Sequence, residues 1–228
     1  MCGYFGTLSA QTFDGNKIVT EMDRRLNFPE CRMVIRIIDS KASGTTREMK
    51  ADVEYLENVG TRLEFTEPAR EKGKKILMAG SSMWMSVPSV SKPVRLSGKD
   101  SFMGTSFTND DAMNMDKSDD YDSVIVASDE AGWDIVMTAK NESVPYPRIE
   151  ARIDRNYLPL RQSFFVRSGK LSRKVEYSEV RTFDGRDRPS VMIITDLMSP
   201  GDSSKIVFES IKSDTISASR FTSASLSK

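Results

Sequence analysis

The sequence contains no histidine. The commonest general base at neutral pH and the commonest neutral metal ligand are therefore missing. It has two cysteines, Cys2 and Cys31, too few for a structural zinc site. The terminal position of Cys2 argues against a disulfide between them. No stretch approaches the ~20 apolar residues that a membrane-spanning helix needs. Net charge is absent as well, because 33 Lys and Arg balance 33 Asp and Glu. That balance argues against nucleic acid as a partner, since phosphate binding needs a basic surplus. The local cluster of Arg70, Lys72, Lys74 and Lys75 reads as a solvated strand end.

Catalytic motifs are missing too. There is no G-x-S-x-G elbow and no phosphate-cradling glycine loop. The acidic run Asp116 to Asp122 invites a calcium test. An EF-hand needs Gly at its sixth loop position and Glu at its twelfth, where this chain has Tyr121 and Ala127. The run reads as a solubilising loop. These absences leave an enzyme without a visible base, and no metal or cofactor is expected.

What is present is a change of period. In Gly15 to Asn27, Ile18, Met22 and Leu26 recur at helical spacing with Val19 beside them. Asp14 or Asn16 can cap this helix, and Pro29 ends the region. From Cys31 onward the period is two. Met33, Ile35 and Ile37 alternate with Arg32, Val34, Arg36 and Ile38, and Met49 and Val53, then Leu63 and Phe65, alternate with polar residues. About a dozen such segments follow at roughly ten-residue spacing, which is the pattern of half-buried antiparallel strands. The joints DEAG, RSGK and DGRDRP read as hairpin turns in which Gly supplies positive φ. No βαβ alternation occurs, so a parallel α/β fold is not expected. The expectation is a mainly β chain with one or two helices, in one domain over residues 13–228.

Residues 1–12 stand apart. "LSAQ" ends like a secretory cleavage site, and the segment reads either as a signal-peptide remnant or as a frayed terminus.

One segment breaks the strand rhythm. SFMGTSFTNDDAMNMDKSDDYDS shows no alternation, though Thr108 or Asn109 can cap a short helix with Asp110 and Asp111 in its first turn. Long excursions in compact domains are usually lids, binding loops or disordered. Upstream lies SSMWMSVPSV, rich in Met and aromatic residues. A dozen strands also present more apolar face than one three-turn helix can cover. A second layer of the same sheet, a partner or a ligand must occupy the remainder. Met adapts to irregular apolar shapes, which suits such a surface.

Several short stretches, in order, resemble one family. They are Leu77-Met78-Ala79-Gly80, Met83-Trp84-Met85, Val87-Pro88-Ser89, Val94-Arg95-Leu96, Phe102-Met103-Gly104 and the closing Arg220-Phe221-Thr222. They are similar to the core of the LolA/LolB-like periplasmic lipoprotein carriers, in the branch of outer-membrane lipoprotein-sorting proteins. The resemblance implies a strongly curved antiparallel sheet, an unclosed half-barrel, with a helix and a loop lid over a hydrophobic cavity. It implies a non-enzymatic carrier of lipoprotein acyl chains or other lipids, periplasmic or anchored at the outer membrane, served by partners such as an inner-membrane transporter. The alternative is an envelope structural or signalling protein that binds a protein partner with the same half-barrel.

The expected cavity and lid residues follow. Met33, Ile35, Ile37, Met49, Val53, Leu63, Phe65, Met83, Trp84 and Met85 would line it, with Phe102, Met103 and Phe107 in the lid at residues 98–120. The classical carriers hold the lid with an Arg from an Arg-Pro pair. Here the corresponding turn reads Asn58-Val59-Gly60, and Arg47 is the candidate substitute.

Overall fold

The computed structural model describes residues 14–113 and 117–227. Helix α1 spans Gly15–Leu26. The Asp14 side chain caps it by accepting the Asn16 amide at 2.9 Å. Its buried face is Ile18, Val19 and Met22, as the helical spacing predicts.

Thirteen strands follow, all in one antiparallel sheet. They are β1 Glu30–Ser40, β2 Thr46–Leu56, β3 Gly60–Glu67, β4 Lys75–Ala79, β5 Ser82–Ser86 and β6 Val94–Leu96. After a second short helix, α2 Asn109–Met113, come β7 Tyr121–Asp129, β8 Gly132–Ala139, β9 Arg148–Asp154 and β10 Pro159–Phe165. The last three are β11 Leu171–Phe183, β12 Arg186–Asp196 and β13 Asp202–Ser213.

The order across the sheet is β6-β5-β4-β3-β2-β1-β13-β12-β11-β10-β9-β8-β7. Each neighbour is a hairpin partner except β1 and β13, which pair in the middle, for example Ile37 with Ile206. The sheet curls but does not close, so β6 and β7 remain as its two edges. The connection between those edges is residues 97–120. Its described part brings Phe102, Phe107 and Ala112 against the cluster on the concave face.

The two faces of the sheet are filled differently. The concave face carries one large apolar cluster against α1 and the crossing segment, including Met49, Phe65, Met83, Trp133 and Met137. The opposite face carries a small cluster of Leu77, Ile216, Phe221 and Leu226, with Trp84 half-buried beside it. Here the C-terminal strap after β13 lies on the sheet. Glu54 anchors it by accepting from Arg220 Nε at 2.7 Å. Arg62 on β3 lies 3.3 Å from the same carboxylate, so the ionic cluster replaces apolar packing on this side.

The hairpin turns need glycine for two different reasons. Gly169 and Gly185 take positive φ of 79° and 78°, as expected for RSGK and DGRDRP. In DEAG the reason is close approach: a Cβ on Gly132 would lie 2.1 Å from the Ile153 carbonyl oxygen. Residues 1–12, with Cys2, lie outside the described residues, as does Met115.

Candidate functional site: an apolar hollow on the concave face

Inward positions of β1, β2, β3, β12 and β13 face α1 across the hollow of the sheet. Between them lie two adjoining chambers. The larger, about 150 Å³, is walled mainly by apolar side chains, among them Phe28, Met33, Ile37, Leu63, Ile206 and Phe208. The smaller, about 100 Å³, is lined by Met22, Phe164 and Val175 but also by Gln162, Arg173 and Tyr177. Leu26, Asn27, Phe107, Asp111, Arg188, Met192 and Ile194 border both and form the partition.

The partition includes the lid. Phe102 and Phe107 are 2% and 5% exposed, and their rings stack with centroids 5.0 Å apart. The Phe102 amide donates to the Phe107 carbonyl at 2.8 Å, which folds the tip of the segment into a tight turn. The two rings plug the hollow from the open side.

Three polar contacts hold the plug. Arg47, on the inward side of β2, donates through Nη2 to the Met103 carbonyl. Gly104 is needed beside it, since its φ is +76° and a Cβ would stand 3.2 Å from Arg47 Nη2. Ser204 Oγ on β13 accepts the Ser106 amide at 2.9 Å and donates to Asp39 Oδ1 at 2.8 Å. At the other end, Asp111 in α2 forms an ion pair with Arg173 on β11. Tyr146 joins them, donating to Asp111 Oδ1 at 2.7 Å and accepting from Arg173 Nη1 at 2.7 Å. Burial raises the Tyr146 phenol, with Asp196 acting the same way, so it stays a protonated donor.

The same Asp111 caps its own helix. Thr108 donates from both its amide and its hydroxyl to Asp111 Oδ2, at 2.6 and 2.7 Å, in a reciprocal capping arrangement.

Seven of the thirteen expected site residues meet at the chambers: Met33, Ile35, Ile37, Val53, Leu63, Phe102 and Phe107. Met49, Phe65 and Met83 are buried on the same face but belong to the solid core beside the hollow. Met85 and Met103 are half-buried against that core. Trp84 is a correction. It lies on the far face under the C-terminal strap, because Met83 and Met85 take the inward positions of its strand. Sequence reasoning missed Met192, Ile194, Ile206 and Phe208, and also Arg188, Arg173 and Tyr146. The available signal was Arg188 in RPSVMIITD, which alternates with Met192 and Ile194 onto one side.

A family model described as "Uncharacterized protein" matches residues 57–228. Three solved structures share the architecture. A LolA superfamily protein from Nitrosomonas europaea is 24% identical with a TM-score of 0.80, covering 92% of this chain and 98% of that one. A DUF1329 family protein from Desulfovibrio piger is 20% identical with a TM-score of 0.82, covering 93% and 97%. A domain from Vibrio parahaemolyticus named for outer membrane lipoprotein sorting is 18% identical with a TM-score of 0.78, covering 94% and 98%. The chain belongs to the matched family and has the LolA-superfamily fold. No curated protein matches its sequence. Within this LolA-like frame Arg47 donates to the Met103 carbonyl in the segment that follows β6. Among the described residues, no helix is long and apolar enough to cross a membrane.

Proposed function

We propose that the chain is a non-enzymatic carrier or binding protein for acyl chains, of lipoproteins or of other apolar lipids, working in the bacterial periplasm. The observation that carries this reading is the pair of adjoining, mainly apolar chambers on the concave face, bordered by Phe102 and Phe107. The likeness to a lipoprotein-sorting domain supports it at the level of fold. A donor such as an inner-membrane transporter belongs to the same reading.

The energetics suit a carrier. A sixteen-carbon chain offers on the order of 12 kcal/mol gross at ~0.8 kcal/mol per CH₂. A carrier that kept all of this could not release its cargo. The chambers are small: the larger, about 150 Å³, has the volume of a cavity that holds a benzene-sized guest. A long chain therefore has to displace Phe102 and Phe107 and break the lid contacts. That cost offsets part of the burial energy and leaves a releasable complex.

The filling of the mouth by Phe102 and Phe107 also favours a second reading, an envelope protein whose half-barrel is closed by its own side chains and binds a protein partner. Organic extraction of the protein purified from cells, followed by mass spectrometry, separates the two. A stoichiometric acyl lipid supports the carrier. Protein that is lipid-free and fails to take up an acyl probe supports the second reading.

A further inference from the structure

The polar lining of the cavity is uneven. Arg188 and Asp111 border both chambers, and the smaller adds Gln162, Tyr177, Arg173 and Lys117. Arg188 stands at the partition. It occupies an inward position of β12 and is 4% exposed. Its Nη1 donates to the Leu26 carbonyl at the end of α1, and its Nε lies 3.3 Å from the Pro189 carbonyl. Its guanidinium sits 4.1 Å over the Phe208 ring. Among the described residues no carboxylate forms an ion pair with it. The other charges on the walls do not serve it: Asp111 is taken by Arg173.

A buried cation without a counter-charge is costly. The helix-end carbonyl and the Phe208 face offset part of that cost. Two of its five N–H donors are engaged by these carbonyls, which leaves a fork free. Burial lowers its pKa to about 10, so it stays cationic at neutral pH. Nearby groups are also short of partners. Gln162, 2% exposed, has only the Met22 sulfur at 3.8 Å for its Nε2, and Arg173 Nε has no partner among the described residues.

We infer that Arg188 anchors the oxyanion of an acid-headed apolar ligand, a carboxylate or phosphate on a hydrocarbon chain, with the head in the smaller chamber and the chain in the larger. A guanidinium fork matches such an oxyanion in bidentate fashion. This inference rests on the acyl-binding reading and specifies its ligand class: the acid is buried at the partition rather than left at the mouth.

The test is displacement of Nile red, a neutral apolar probe, by dodecanoate, dodecyl phosphate and dodecanol, with acetate and inorganic phosphate as chain-free anions. Wild type, Arg188→Lys and Arg188→Met are compared. We expect both acid-headed chains to bind wild type about tenfold or more tightly than the alcohol, the scale of one charge-assisted hydrogen-bond pair. Arg188→Met should abolish that preference while keeping Nile red and dodecanol binding, and Arg188→Lys should keep part of it. Equal binding of acid and alcohol to wild type overturns the inference. So does a preference that survives Arg188→Met, or displacement by the chain-free anions at the same concentrations. If Arg188 serves only to cap α1, Arg188→Met lowers Tm and leaves the ligand order unchanged. Should Arg188→Met fail to fold, the wild-type acid-to-alcohol ratio decides alone. If Nile red and every chain fail to bind wild type, the acyl-binding reading itself falls.

Discussion

Arg47 Nη2 donates to the Met103 carbonyl, tying the middle of the sheet to the tip of the lid. The contact joins residues 56 positions apart, and it is one of few that a lid opening must break. Replacing the arginine by methionine keeps the apolar stem and removes the donor. Hydrogen bonds to charged groups are worth about 1.5–3 kcal/mol, so Arg47→Met should speed local lid opening roughly tenfold or more. Amide exchange at Phe102, Thr105 and Ser106 should accelerate while β1, β2 and β13 stay protected. Uniform acceleration across the sheet would mean that Arg47 supports the whole fold and is no latch.

Phe107 borders both chambers. Phe107→Ala should lower stability by about 3–5 kcal/mol, the usual cost for a buried ring. It should also merge the chambers. Dodecanoate should then raise the Tm of the variant more than that of wild type, because the chain no longer has to expel the ring. An equal or smaller rise in the variant would show that Phe107 does not stand in the ligand's path.

Much of this fold was legible in the sequence, for a physical reason. Alternation of period two is strictly local, so Met33, Ile35 and Ile37, or Leu63 and Phe65, declare their inward face within a few residues. The helix at Gly15–Leu26 declares itself in the same way. The far wall of the cavity did not show. Met192, Ile194, Ile206 and Phe208 face Ile37 only because β13 pairs with β1, a contact between the two ends of the chain that no local pattern encodes. Trp84 carries the opposite lesson. The alternation of Ser82–Ser86 sends it outward, and only the resemblance of Met83-Trp84-Met85 to a family motif drew it into the cavity.

That placement of Trp84 is testable. Trp84→Ala should loosen the C-terminal strap, which packs on the face away from the cavity. Proteolysis after Ser213 should become faster, and acyl-probe affinity should stay within about twofold of wild type. A large loss of affinity would return Trp84 to the ligand site.

Cys31 lines the larger chamber and is buried. Burial pushes its thiol up from 9.0 to about 11, with Arg188 acting the other way. The thiolate is the reactive form, so alkylation by iodoacetamide in a Cys2→Ser background should be very slow at pH 8 and rise between pH 9 and 11. Dodecanoate should slow it further. The sign for stability follows from linkage: the folded state holds this proton more tightly, so the thiol's contribution is full below pH 9 and is lost as pH rises through 11. Between those values Tm should fall less in Cys31→Ala than in the parent. Rapid alkylation at pH 8 would mean that the chamber is open to solvent.

The central claim is that an acyl chain occupies the concave hollow. Photolabelling with a diazirine-bearing fatty acid, mapped by peptide mass spectrometry, tests it most directly. The account predicts saturable labelling at one site per chain, on Ile37, Met192, Ile194 and Phe208, competed by unlabelled dodecanoate. Labelling that does not saturate, or that falls on the opposite face around Trp84 and Phe221, would contradict it.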